Sequence, residues 1–68
     1  MQRQERDEAA RLLNVDEVAE LIGIARKTVY ELVQERKIPY IKPTRMTLRF
    51  RRSDIDEYLE SRTVRPQD

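Results

Sequence analysis

The chain has 68 residues, with 14 Lys and Arg against 13 Asp and Glu, a formal net charge of +1, and neither cysteine nor histidine. That length gives room for one domain with a modest core, and the missing residue types exclude disulfides, zinc fingers, haem ligation and imidazole acid–base chemistry. No apolar run is long enough to span a membrane and no charged n-region precedes an apolar h-region, so a soluble, intracellular protein is expected.

The small net charge hides a segregated pattern. Residues 1–11 balance to 0 and residues 12–24 carry −3. Residues 25–52 carry +7, with nine cations against Glu31 and Glu35, and residues 53–68 carry −3. Charge runs are often only solvated surface. Here the basic block starts at a predicted helix and continues through the next predicted hairpin, which points to one face that binds an anionic partner such as nucleic acid.

Residues 1–11 are almost wholly polar, with only Ala9 and Ala10 to bury, and read as a flexible N-terminal arm. An arm that touches nucleic acid is the alternative, and its balanced charge argues against it. Leu12 and Leu13 then precede Asn14, which sits where an N-cap belongs. Glu17 three residues on completes a capping-box spacing, and Asp16 with Glu17 suits the positive end of the helix dipole. A helix is predicted over 15–22, burying Val15, Val18, Ala19 and Ile22, with Leu21 on its flank.

Gly23, the only glycine in the chain, suits the left-handed residue that ends a helix, and Ile24 follows as an apolar plug. A second helix is predicted over 26–36, burying Val29, Leu32 and Val33. The proline after Lys37 and Ile38 should end it, because the residue before proline is pushed out of the α region. Ala19, Gly23 and Val29 supply the small residue at a helix crossing, the positive-φ turn residue and the branched apolar residue of a helix-turn-helix. The outward residues of the second helix are Arg26, Lys27, Thr28, Tyr30, Glu31 and Gln34. A major groove admits one helix, whose base edges are read by such charged, hydroxyl and amide side chains. Tyr30 could equally pack at the domain edge, and Glu31 with Glu35 could simply solvate the helix.

Strands are predicted over 40–42 and 47–51, joined by a turn opening on Pro43. In the second strand Leu48 and Phe50 share one face while Thr47, Arg49 and Arg51 share the other, as in a half-buried strand with its cations outward. With Lys37 and Lys42 beside it and Thr44 and Arg45 at its tip, this hairpin reads as a wing able to reach a minor groove. Edge-strand cations also discourage aggregation, which is the other explanation for them. Ser53 with Asp56 has a second capping-box spacing, predicting a helix over 54–60 that buries Ile55, Tyr58 and Leu59. Residues 62–68 read as a flexible tail, leaving 12–61 as the folded domain. The fold class expected is mainly α with a small β-hairpin, a winged helix-turn-helix.

The run from Leu12 to Gly23 (LLNVDEVAELIG), Thr28-Val29-Tyr30, Ile38-Pro39 and the run from Arg49 to Leu59 (RFRRSDIDEYL) resemble, in order and spacing, the excisionase family of small DNA-binding proteins, relatives of the MerR-type winged helix-turn-helix. The resemblance covers about Leu12 to Ser61. It implies a second helix in the major groove and a wing on the adjacent minor groove or backbone, roles that fall on Arg26, Lys27, Thr28 and Tyr30 and on Lys42, Arg45 and Arg49. The family usually caps its second helix with serine or threonine; this chain has Ala25. Double-stranded DNA, an integrase and neighbouring copies of the chain are the implied partners, in the cytoplasm of a bacterial host and associated with its nucleoid. The function expected is to bind and bend DNA so that an integrase is directed toward excision. A small transcriptional regulator is the nearest alternative. MerR-type regulators normally add a long dimerisation helix and an effector domain, which do not fit after Leu59. A protein-interaction adaptor or antitoxin-like module is the alternative of another class. No nucleophile–base pair, metal cluster or phosphate loop can be assembled, so neither catalysis nor a metal, cofactor or small-molecule ligand is expected.

Overall fold

A computed structural model of the protein describes residues 11–66; apart from Arg11, the predicted arm lies outside the described residues. The order is α1 (Val15–Ile22), α2 (Arg26–Gln34), β1 (Ile41–Thr44), β2 (Thr47–Arg49) and α3 (Arg52–Ser61). Three helices and one antiparallel hairpin make the expected winged helix-turn-helix. No helix among the described residues is long and apolar enough to cross a membrane.

The start of α1 is fixed by the reciprocal cap that its sequence predicts. The Glu17 N–H donates to Asn14 Oδ1 at 2.8 Å, and the Asn14 N–H donates to Glu17 Oε1 at 2.9 Å, so two N–H groups that a helix start leaves open are satisfied. Gly23 ends the helix at φ 83°, and its N–H and that of Ile24 both donate to the Ala19 carbonyl. A Cβ at Gly23 would meet nothing within 4 Å. The glycine is therefore required by backbone conformation and not by close packing.

The end of α2 differs from expectation. The helix stops at Gln34, not residue 36, and Arg36 takes a left-handed φ of 57°. The Arg36 N–H donates to the Val33 carbonyl and the Lys37 N–H to the Leu32 carbonyl, the paired bonds of a Schellman cap. The helix is thus closed by backbone hydrogen bonds three residues before Pro39, which only prevents its resumption.

The hairpin is also shifted from its predicted limits. Strand β1 spans 41–44 instead of 40–42, and the turn is reduced to Arg45 and Met46. Ile41 pairs with Arg49 and Thr44 with Thr47, so β1 holds one residue more than β2 between the two pairs. Pro43 lies in this bulged stretch, where a residue without an N–H is tolerated. Strand β2 ends at Arg49 instead of residue 51, because Phe50 pairs with Leu13: each donates its N–H to the other's carbonyl at 2.8 Å. This bridge ties the entry to α1 onto the hairpin.

Helix α3 begins two residues earlier than predicted, at Arg52, and runs to Ser61 rather than residue 60. Arg51 occupies its N-cap with no side-chain cap bond, so Ser53 does not cap the helix and Asp54 is the acidic residue of the first turn. An i,i+4 pair between Arg52 and Asp56, at 3.2 Å, takes up Asp56 instead.

The core draws three residues from α1, one each from α2 and α3, and three from the segments before and between the elements. Val18, Val29, Phe50 and Ile55 are fully buried, and Leu13, Val15, Ala19 and Ile38 complete the cluster. Ile22, Ile24, Leu32, Val33, Leu48, Tyr58 and Leu59 pack around it. Fully burying an aliphatic or phenyl side chain stabilises by about 1.5–3 kcal/mol. Leu13 and Ile38 are the core residues that periodicity did not reveal, because both lie in irregular stretches, one before α1 and the other between α2 and β1.

Candidate nucleic-acid interface

Helix α2 and the hairpin flank a common open groove of about 600 Å³. Arg26 and Tyr30, one helical turn apart, line one side; Lys42, Arg45, Thr47 and Arg49 line the other. Asn14 and Asp16 at the start of α1 form its end. Four cations therefore face a groove in which Asp16 is the one carboxylate. Concentrated positive charge in a concave surface focuses the field on an anion.

Arg26 is already engaged within the protein. Its Nε lies 2.6 Å from Asp16 Oδ1, and its guanidinium stands 5.9 Å from the centre of the Tyr30 ring. Both contacts are solvent-exposed, so each is weak and exchangeable. Asp16 was read from sequence only as a helix-dipole residue; its partner is ten positions away and on another helix, beyond any local spacing rule.

The remaining predicted residues of α2 divide by exposure. Lys27, Tyr30, Glu31 and Gln34 are exposed, whereas Thr28 is half-buried on the flank, one turn before half-buried Leu32. Ala25 makes no side-chain cap bond at the start of this helix, as the missing serine or threonine implies. Helix starts leave N–H groups open, and such groups favour a negatively charged acceptor.

On the hairpin, Lys42, Thr44 and Arg45 are exposed, and Thr47 and Arg49 are half-buried. The Thr44 hydroxyl donates to Thr47 Oγ1 at 2.6 Å across the turn. Arg49 Nη1 donates to the Leu48 carbonyl at 2.9 Å, which fixes part of its guanidinium. Three predicted cations do not line the groove: Lys27 of α2, Lys37 and Arg51. Lys37 lies 3.7 Å from Glu35 and lines a separate shallow surface with Arg36, Ile38, Pro39 and Tyr40. Arg51 is exposed at the N-cap of α3. Met46, which was read only as part of the turn, does line the groove.

The Glu17 carboxyl is held below the usual glutamate range, chiefly by the Asn14 N–H that donates to it; burial opposes this in part, and Arg11, 3.1 Å away, and the charge of Arg49 add smaller lowering effects.

A helix-turn-helix carrying a basic hairpin beside its second helix defines the winged class of helix-turn-helix domains. Residues 12–63 match the family model described as helix-turn-helix domain, and the chain belongs to that family. It is a DNA-binding family, typically non-enzymatic, that contains excisionase-like proteins. Comparison with curated proteins and with solved structures gave no match.

Proposed function

We propose that this chain is a sequence-specific binder of double-stranded DNA that acts as an excisionase, bending DNA so that a phage or mobile-element integrase is directed toward excision. The observation that carries the DNA-binding reading is the groove shared by α2 and the hairpin, with Arg26, Lys42, Arg45 and Arg49 around it. On this reading α2 lies in the major groove and presents Lys27, Thr28, Tyr30, Glu31 and Gln34 to base edges. The hairpin follows the adjacent minor groove, and the sugar–phosphate strand separating the two grooves runs through the cleft. Phosphate contacts position the protein without reading sequence. That part falls to Lys42, Arg45 and Arg49, with Lys37, Thr44, Thr47 and Arg51 as flanking contacts.

The excisionase assignment is finer than the family match. Its support is the run of matching residues at both ends of the domain, from Leu12 to Gly23 and from Arg49 to Leu59. A footprint on the DNA flanking its own coding sequence tests binding, and direct repeats there would indicate tandem copies. A recombination assay with the cognate integrase then separates the two DNA-binding roles. Excision that depends on the protein supports an excisionase, and excision that proceeds equally without it leaves a transcriptional regulator.

A further inference from the structure

Met46 is 90 % exposed, and among the described residues only Val64, beyond the last helix, is a large apolar residue of similar exposure. It stands at the apex of the hairpin, directly after Arg45, in a turn that the Thr44–Thr47 hydroxyl bond clasps. Glycine, proline, asparagine, aspartate and serine favour turns for identifiable backbone reasons, and methionine has none of them. Nor does the core use this side chain. What remains is an unbranched apolar finger on a stiffened tip, surrounded by Lys42, Arg45 and Arg49.

That combination suits a partner with an anionic surface and an apolar interior close beneath it. A DNA duplex fits, with phosphates outside and stacked bases within. An anionic membrane has the same layering, but a helix-turn-helix family match and a groove shaped by a helix and a hairpin favour DNA. Proteins that kink DNA from the minor groove do so with wedges of this kind, methionine among them.

We propose that Met46 is a wedge that enters a base step through the minor groove and kinks the duplex, Arg45 holding the tip in the groove; this rests on the DNA-binding function proposed above. The wedge favours a pyrimidine–purine step, which unstacks at the least cost. It assigns bending to one side chain of one protomer and not only to the stacking of neighbouring copies along the DNA.

The test uses the full chain and a short duplex recovered by selection from a random-sequence pool. 2-Aminopurine placed at successive positions of that duplex reports unstacking, and energy transfer between labelled ends reports bending. Wild-type protein raises the fluorescence at one step and bends the duplex by about 20–90°. Met46→Ala, at concentrations that saturate the same duplex, loses both signals, and Met46→Leu keeps both; circular dichroism shows both variants folded, as expected for a side chain outside the core. Unchanged bending and fluorescence in Met46→Ala overturn the wedge, as does a wild-type complex with no unstacked step. Both of those results leave DNA binding intact. Failure to recover any duplex overturns DNA binding and the wedge together, and binding to phosphatidylserine vesicles that Met46→Ala abolishes, with no unstacking of DNA, assigns the finger to membrane instead.

Discussion

Asp16 Oδ1 lies 2.6 Å from Arg26 Nε, so in the free protein the first cation of α2 is held by the first turn of α1. A phosphate that takes Arg26, by displacing Asp16 or through the guanidinium's other N–H groups, meets the repulsion of the Asp16 carboxylate beside it. Asp16→Asn is therefore expected to tighten DNA binding and steepen its salt dependence. Its cost to the fold is small, about 0–1 kcal/mol for an exposed pair. Binding titrations at several salt concentrations, with a thermal melt alongside, check this. Weaker binding by the variant would show that Asp16 orients Arg26 and does not compete for it.

The uncapped start of α2 makes a different prediction. Ala25 offers no acceptor to the first N–H groups of the helix, and Ala25→Ser would supply one, stabilising the free protein by about 0.5–2 kcal/mol. If phosphate meets the same groups in the complex, the gain in DNA affinity is smaller than the gain in the melt. Equal gains in both measurements would mean that the helix start does not touch the backbone of DNA.

Acid should weaken the cap of α1. The Glu17 carboxyl has a folded-state pKa below its unfolded value of about 4.3. Its stabilisation is therefore complete above that pH and is lost as pH falls through the lowered value. Glu17→Gln keeps an oxygen acceptor for the Asn14 N–H, as the capping box allows. The variant is expected to remain folded near neutral pH and to lose part of the acid dependence of its melting temperature. An acid profile parallel to that of wild type would place the dependence on other carboxylates.

At the helix crossing, Ala19 is buried among Val15, Val18 and Val29. Ala19→Leu must push the helices apart or strain a rotamer, costing about 1–3 kcal/mol. For a domain of this size that corresponds to a fall of roughly 4–8 °C in melting temperature per kcal/mol. A melt unchanged from wild type would show a looser crossing than the burial implies.

How much of this was legible in the sequence depends on how local each cause is. The Asn14–Glu17 cap and the turn at Gly23 follow from spacings of three or four residues and are present as read; the inward faces of α1 and α2 are too, with Val15, Val18, Ala19 and Val29 buried and Ile22, Leu32 and Val33 half-buried against them. The wing and its alternation at Leu48 and Phe50 were visible for the same reason. Arg36 was not, because its left-handed backbone is set by the Schellman bonds to Leu32 and Val33 and not by its residue type. Ser53 has the right spacing for a cap, yet the Leu13–Phe50 bridge stops β2 early and α3 starts directly behind it. The pairing of Asp16 with Arg26 is likewise tertiary. In the candidate site, charge segregation pointed to α2 and the hairpin, the two elements that flank the groove. It could not show that Lys37 and Arg51 lie outside the groove that holds Lys42, Arg45 and Arg49.

On the proposed function, α2 and the hairpin contact DNA as one surface, the hairpin through phosphate and the helix through base edges. Salt dependence of binding distinguishes the two contributions, since each phosphate contact contributes about 0.9 to the slope of log affinity against log salt. The measurement is that slope, on the preferred duplex and on an unrelated one, for wild type, Arg49→Ala, Lys27→Ala and Thr28→Ala. Arg49→Ala is predicted to weaken binding to both duplexes and to flatten the slope by about 0.9. Lys27→Ala and Thr28→Ala are predicted chiefly to narrow the difference between the duplexes. An unaltered slope in Arg49→Ala, with sequence preference also intact in both α2 variants, would contradict the account.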